Sequence, residues 1–146
     1  MTTQTRGRVG ATPLDLLAVF VGGLIGTTLR LALDVAIVHD LDEFAVSTLL
    51  VNTAGSFVLG LLVAALWPRV PGWVRVGLGP GILGSFTTFS ALAISVVGLA
   101  RTGEIAVALL SIVLSIGFGM LSAWAGLALG ARLAPRQSPV IDEVDE

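Results

Sequence analysis

The chain has 146 residues, 55% of them hydrophobic and only 12% charged, with a formal net charge of −2. A mean hydropathy of +0.96 lies outside the range of a soluble domain and points to a membrane protein. With no Cys and a single His, disulfides, thiol catalysis and cysteine metal sites are excluded.

Residues 1–14 carry Arg6 and Arg8 and read as a cytoplasmic N-terminal segment. A signal peptide is the competing reading of these arginines and the apolar run behind them. No small-residue cleavage site followed by a soluble domain supports it. The first predicted span, 15–38, contains Arg30 and Asp34, which are four residues apart and so share one helix face as a pair. His39 follows in a turn with Asp40, Asp42 and Glu43, which reads as a solvated loop rather than a cation site.

The next three spans are cleaner. Phe44 to Pro68, Val76 to Ala100 and Ile105 to Ala131 contain no Asp, Glu, Lys or Arg, and each exceeds the roughly 20 residues a helix needs to cross a bilayer core. They predict helices at about 45–67, 76–100 and 105–131 and a single membrane domain over 15–132. The remainder, 133–146, is acidic and contains proline, as a disordered tail would. Such short loops leave no room for a soluble catalytic domain, and no nucleophile, base and oxyanion donors converge in the sequence.

All eight basic residues are arginines. With four spans, Arg6, Arg8, Arg69, Arg75, Arg132 and Arg136 fall on one side and Arg101 alone in a loop on the other. This bias predicts cytoplasmic termini and insertion in one orientation.

Small residues at helical spacing mark every span: Gly22 and Gly26, Ser56 and Gly60, Gly77 and Gly81, Ser111, Ser115 and Gly119, with Ser122, Gly126 and Gly130 on another face. Tight helix packing explains most of them. Asn52, in LLVNTAGSFVLG, is a buried amide that needs partners in hydrocarbon. Two readings stay open for it: an interhelix hydrogen bond, or an NH₂ donating to a small anion.

The third span holds GILGSFTTFSAL, from Gly81 to Leu92. Gly81 and Gly84, with the hydroxyls of Ser85, Thr87, Thr88 and Ser90, predict a helix broken at mid-membrane. Irregular backbone at that depth persists only where it is buried in protein or lines an ion site. Freed carbonyls coordinate cations, while half-helix N-termini and hydroxyls attract anions. Phe86 and Phe89 read as core residues on their own, although the positive edges of such rings also suit an anion path.

GGLIGTTLR, STLLVNTAGSFVLG, GPGILGSFTTFS and SAWAGLALG, in this order, resemble the Fluc (CrcB) family of fluoride channels over about Phe20 to Leu129. The resemblance implies an all-α membrane protein of four transmembrane helices with a break in the third, assembled as an antiparallel dimer with two narrow pores. It implies a structural Na⁺, not transported, held by the backbone carbonyls of Gly84 and Thr87. It also implies an ion pathway past Asn52, Thr88, Phe89 and Ser90, with Arg30 at a vestibule. Fluoride that enters as the neutral acid and dissociates would leave passively across the plasma membrane.

Departures from the family pattern are specific. TTFSTF is TTFSAL here, so Ala91 replaces a Thr and Leu92 the second phenylalanine, and Gly119 and Ala123 lack hydroxyls that some relatives carry. With the arginine bias, these changes lead to the expectation of a heterodimer with an oppositely oriented paralogue, a homodimer remaining possible. The alternatives are a non-conducting accessory subunit, or a small proton-coupled exporter using Asp15 or Asp34.

Overall fold

A computed structural model of the chain describes residues 10–36 and 46–134. Arg6, Arg8, Arg136, the His39 turn and the tail from residue 135 lie outside the described residues. All regular structure among the described residues is helical, and four helical stretches are long and apolar enough to span a membrane.

Helix α1 runs Pro13–Ala36. It begins where the sequence supplies a reciprocal cap. Thr12 Oγ1 accepts from the Asp15 amide at 3.2 Å, while the Asp15 carboxylate accepts from the Thr12 amide and hydroxyl, each at 2.8 Å. This pairing satisfies helix-start donors that would otherwise be orphaned, and proline at the first position costs no hydrogen bond. Helix α2 spans Val46–Ala65 and stops at a 3₁₀ turn, Trp67–Arg69, that carries Pro68.

The third span, Gly72–Arg101, is composite. It opens as α3, Gly72–Val76, and widens into π turns over Gly77–Leu83 around Pro80. Proline has no amide to donate, and the wider turn absorbs that irregularity. It tightens again as α4, Gly84–Phe86, and then breaks. Thr87 (φ −80°, ψ 152°) and Thr88 (φ −148°, ψ 129°) are both extended, and α5 resumes over Phe89–Arg101. The predicted break is therefore present, but it lies at the two threonines. Gly81 and Gly84 remain helical. The reason for Gly81 is packing: a Cβ there would press on Gly22 and Val19 of α1 at 3.2–3.3 Å.

Gly103, at φ 88°, makes the left-handed turn that leads into α6, Ile105–Leu133. Helices α2 and α6 pack along their lengths, and α1 lies on the π segment. Missing side chains bring the backbones together. A Cβ on Gly22 would overlap the Gly77 carbonyl, on Gly26 that of Ile82, on Gly60 that of Ala123, and on Gly126 that of Phe57. With no hydrophobic drive between helices in lipid, such backbone approach and its dispersion energy hold the bundle. The enclosed apolar core is thin, chiefly Val51, Leu83, Leu92, Leu99 and Ala108. Large apolar side chains such as Phe20, Leu31, Val113, Met120 and Trp124 point outward instead, as they do in a lipid solvent.

Candidate functional site

The break in the third span is held by α2. Asn52 Nδ2 donates to the Thr88 carbonyl at 2.8 Å, and the Thr88 amide donates to Asn52 Oδ1 at 2.8 Å. In an uninterrupted helix that amide would go to the carbonyl of Gly84, four residues back. A second diversion follows at once: Thr88 Oγ1 caps α5 by accepting from the Ala91 amide at 3.3 Å, which a continuous helix would direct to the Thr87 carbonyl. Gly84 and Thr87 thus lose their regular helical donors to two neighbouring side chains. These are the two residues whose carbonyls the resemblance implicates in cation binding.

Asn52 makes the interhelix bond of the first reading left open by the sequence; an amide has two N–H donors, and only one is taken by Thr88. The other has no acceptor among the described residues. Beside it, Thr88 Oγ1 and Ser90 Oγ share a hydrogen bond at 2.9 Å. Phe89, at the first turn of α5, is 78% exposed, whereas Phe86 is half-buried and has a ring carbon 3.7 Å from where a Gly55 Cβ would stand. The two rings therefore have different surroundings, and the core reading suits only Phe86.

Asn52, Thr88 and Phe89 border a groove of about 490 Å³ whose walls also include Ser56, Gly84 and Ser115, while Ser90 and Phe86 lie outside its walls. Thr87 lines it too, and its hydroxyl is turned to the Leu83 carbonyl at 2.9 Å. Gly55 must lack a side chain, because the Thr87 methyl occupies the place of its Cβ. Leu92 borders the groove but is only 7% exposed, packed within the bundle. Ala91 is half-buried and engaged through its amide.

Not every site residue named from the sequence gathers here. Gly119 faces Ser56, whose Oγ lies 3.8 Å from where its Cβ would be. Ala123 sits in the α2–α6 seam, with its carbonyl against Gly60. Arg30 is outside the groove walls; its Nε donates to Asp34 at 2.8 Å and its Nη2 to Thr48 Oγ1 at 3.3 Å. Asp15 is held in the Thr12 cap and Asp34 by Arg30, so both carboxylates proposed for proton-coupled export are already engaged.

Trp67 was not foreseen. It closes part of the groove, and Gly79 gives its ring room, since a Cβ there would stand 3.2 Å from Cζ2. The only sequence signal is a tryptophan at the end of a span that meets a glycine twelve residues later. Ser122 was read as a packing residue, and its hydroxyl in fact donates to the Thr53 carbonyl of α2 at 2.7 Å. No cluster of three acidic or histidine side chains occurs among the described residues.

A small polytopic bundle of four apolar spans, whose third is opened by a side-chain clip, defines a multi-pass membrane protein. The family described as CrcB-like protein, Camphor Resistance (CrcB), matches residues 17–127, and the chain belongs to it. Among its relatives, the Fluoride-specific ion channel FluC of Deinococcus radiodurans is 41% identical over 118 residues, covering 77% of this chain and 91% of that protein. The FluC of Thermus thermophilus is 40% identical over 119 residues, covering 80% and 94%. A protein of Leifsonia xyli named Fluoride-specific ion channel FluC 2 is 37% identical over 128 residues, covering 84% and 88%.

Proposed function

We propose that the chain is a subunit of a fluoride-specific channel that lets fluoride leave the cytoplasm passively across the bacterial plasma membrane. The observation that carries this reading is the Asn52–Thr88 clip, which holds the third span open beside an exposed Phe89. Fluoride would meet the second N–H of Asn52, the hydroxyls of Thr88 and Ser90, and the edge of the Phe89 ring. These are neutral donors, able to replace water around a small anion without trapping it. Names borne by the relatives support the choice of ion.

The carbonyls of Gly84 and Thr87, deprived of helical donors, suit a hard monovalent cation such as Na⁺. Bound there, Na⁺ would supply positive charge and fix the break; it is structural and not transported. The exposure of Phe89 supports an antiparallel dimer in which another subunit completes the site. The arginine bias supports cytoplasmic termini and a heterodimer with an oppositely inserted paralogue. In that arrangement Phe89 serves one complete pore, while the pore at Leu92 lacks its second ring. A non-conducting accessory role is the second reading, favoured by the buried Leu92 and by the absence of a hydroxyl at Gly119 opposite Ser56.

Expression in a fluoride-sensitive bacterium that lacks its own fluoride exporter tests the function. Co-expressed with its paralogue, the chain should restore growth in fluoride, and Asn52→Ala should abolish the rescue. Growth that stays fluoride-sensitive with both chains in the membrane contradicts the reading.

A further inference from the structure

Among the described residues, Arg30 is the basic side chain set deepest within a span, and it is 13% exposed and paired with a single carboxylate. Asp34, one turn later on α1, takes its Nε at 2.8 Å through Oδ2. Nη2 reaches across to Thr48 Oγ1 of α2 at 3.3 Å, and Thr48 is 1% exposed. Arg30 Nη1 and Asp34 Oδ1 are enclosed, and neither has a hydrogen-bond partner among the described residues. A guanidinium left with an unused fork in a low-dielectric setting exerts a strong field, and a carboxylate beside it opposes that field.

The location matters. Thr48 precedes Asn52 by four residues, so the two lie on one face of α2 about 6 Å apart along the axis. Ser56 continues the same face. The guanidinium therefore sits about one turn from the amide that clips the break.

The geometry points to Asp34 as the residue that sets how strongly this end of the polar face draws anions: it holds Arg30 against Thr48 and cancels part of its charge. Arg30 attracts anions toward the Thr48–Asn52–Ser56 face, and Asp34 restrains that attraction so that the ion is released again. This inference rests on the proposed fluoride conduction. It separates from a purely structural ion pair by sign. A structural pair predicts that removing either partner harms transport alike, because each leaves the other charge buried and alone. Field setting predicts opposite effects.

The test is initial fluoride efflux, read with a fluoride electrode from liposomes containing the chain and its oppositely oriented paralogue, over a range of fluoride concentrations. Asp34→Asn keeps an acceptor for Arg30 Nε and removes the charge; it should lower the half-saturating fluoride concentration several-fold. Arg30→Gln should raise it several-fold, and Arg30→Lys should stay near wild type. Loss of transport in Asp34→Asn and Arg30→Gln alike, or shifts of the same sign in the two variants, would overturn the inference while leaving fluoride conduction intact. A silent wild-type pair would overturn the conduction reading and this inference with it.

Discussion

Asn52 and Thr88 exchange two hydrogen bonds of 2.8 Å, side-chain amide to backbone carbonyl and backbone amide to side-chain oxygen, across two separate spans. One asparagine thereby does what a helical turn would have done for Thr88, and the third span is free to change direction. The extended backbone at Thr87 and Thr88 would otherwise leave an N–H and a C=O unsatisfied in hydrocarbon, at a cost of about 1–3 kcal/mol for each group.

Asn52→Ala should accordingly destabilise the protein by about 2–4 kcal/mol, since two buried backbone groups lose their partner at once. Thermal unfolding in detergent measures this. Hydrogen exchange at the Thr88 amide should accelerate while exchange along α6 is unchanged. Asn52→Asp keeps the acceptor for Thr88 but loses the donor, and it places a negative charge beside the proposed anion path, so transport should vanish even where folding survives.

The glycine seam gives a paired prediction. Gly126→Ala drives a methyl into the Phe57 carbonyl, so it should cost about 1–3 kcal/mol of overpacking. Gly117→Ala, on the same helix with nothing within 4 Å, should be neutral or stabilising by up to about 1 kcal/mol through helix propensity. Equal melting temperatures for the two variants would contradict backbone contact between α2 and α6.

Phe89 and Leu92 should separate function from stability. At 78% exposure, Phe89→Ile should leave subunit folding within about 0.5 kcal/mol of wild type. It should nonetheless cut fluoride flux at least tenfold, a barrier change of about 1.4 kcal/mol. Leu92→Phe restores the family's ring at a position only 7% exposed. It should lower stability by about 1–3 kcal/mol through overpacking. Unfolding and efflux measured on the same preparations distinguish the two effects.

Removal of Na⁺ tests the carbonyl site. The chain purified together with its paralogue and exchanged into K⁺ or N-methylglucamine should lose the association of the two by size-exclusion chromatography and lose flux after reconstitution, and both should return with Na⁺. Thr87→Ser retains the backbone carbonyl and should keep the Na⁺ dependence, although it loses the methyl that fills the space at Gly55. Unchanged assembly and flux without Na⁺ would remove the cation from the account.

The spans and the break were legible because lipid imposes strong rules: length, absence of charge, and hydroxyls where apolar residues are expected. Asn52 stood out for the same reason, as an amide with no business in hydrocarbon unless partnered. What the sequence could not supply was long-range placement. That Asn52 meets Thr88, 36 residues away, depends on how α2 faces the third span, and no local periodicity encodes it. Of the glycines and hydroxyls that signalled the break, it falls at Thr87 and Thr88 while Gly81 and Gly84 stay helical; glycine signals both weak helix and close approach, and at Gly81 the α1 contact decides between them. Trp67 escaped notice because aromatic residues at span ends are ordinary interface anchors. Its place in the groove wall follows from the tertiary meeting with Gly79.

The central claim is conduction of fluoride by a dimer in which this chain contributes Phe89. The most direct measurement is fluoride efflux from liposomes containing the chain alone, the chain with its paralogue, and the mixture carrying Phe89→Ile. The account predicts efflux from the mixture, little from the chain alone, and loss with Phe89→Ile. Efflux of equal rate from the chain alone would contradict the heterodimer, and efflux indifferent to Phe89→Ile would contradict the assignment of the pathway itself.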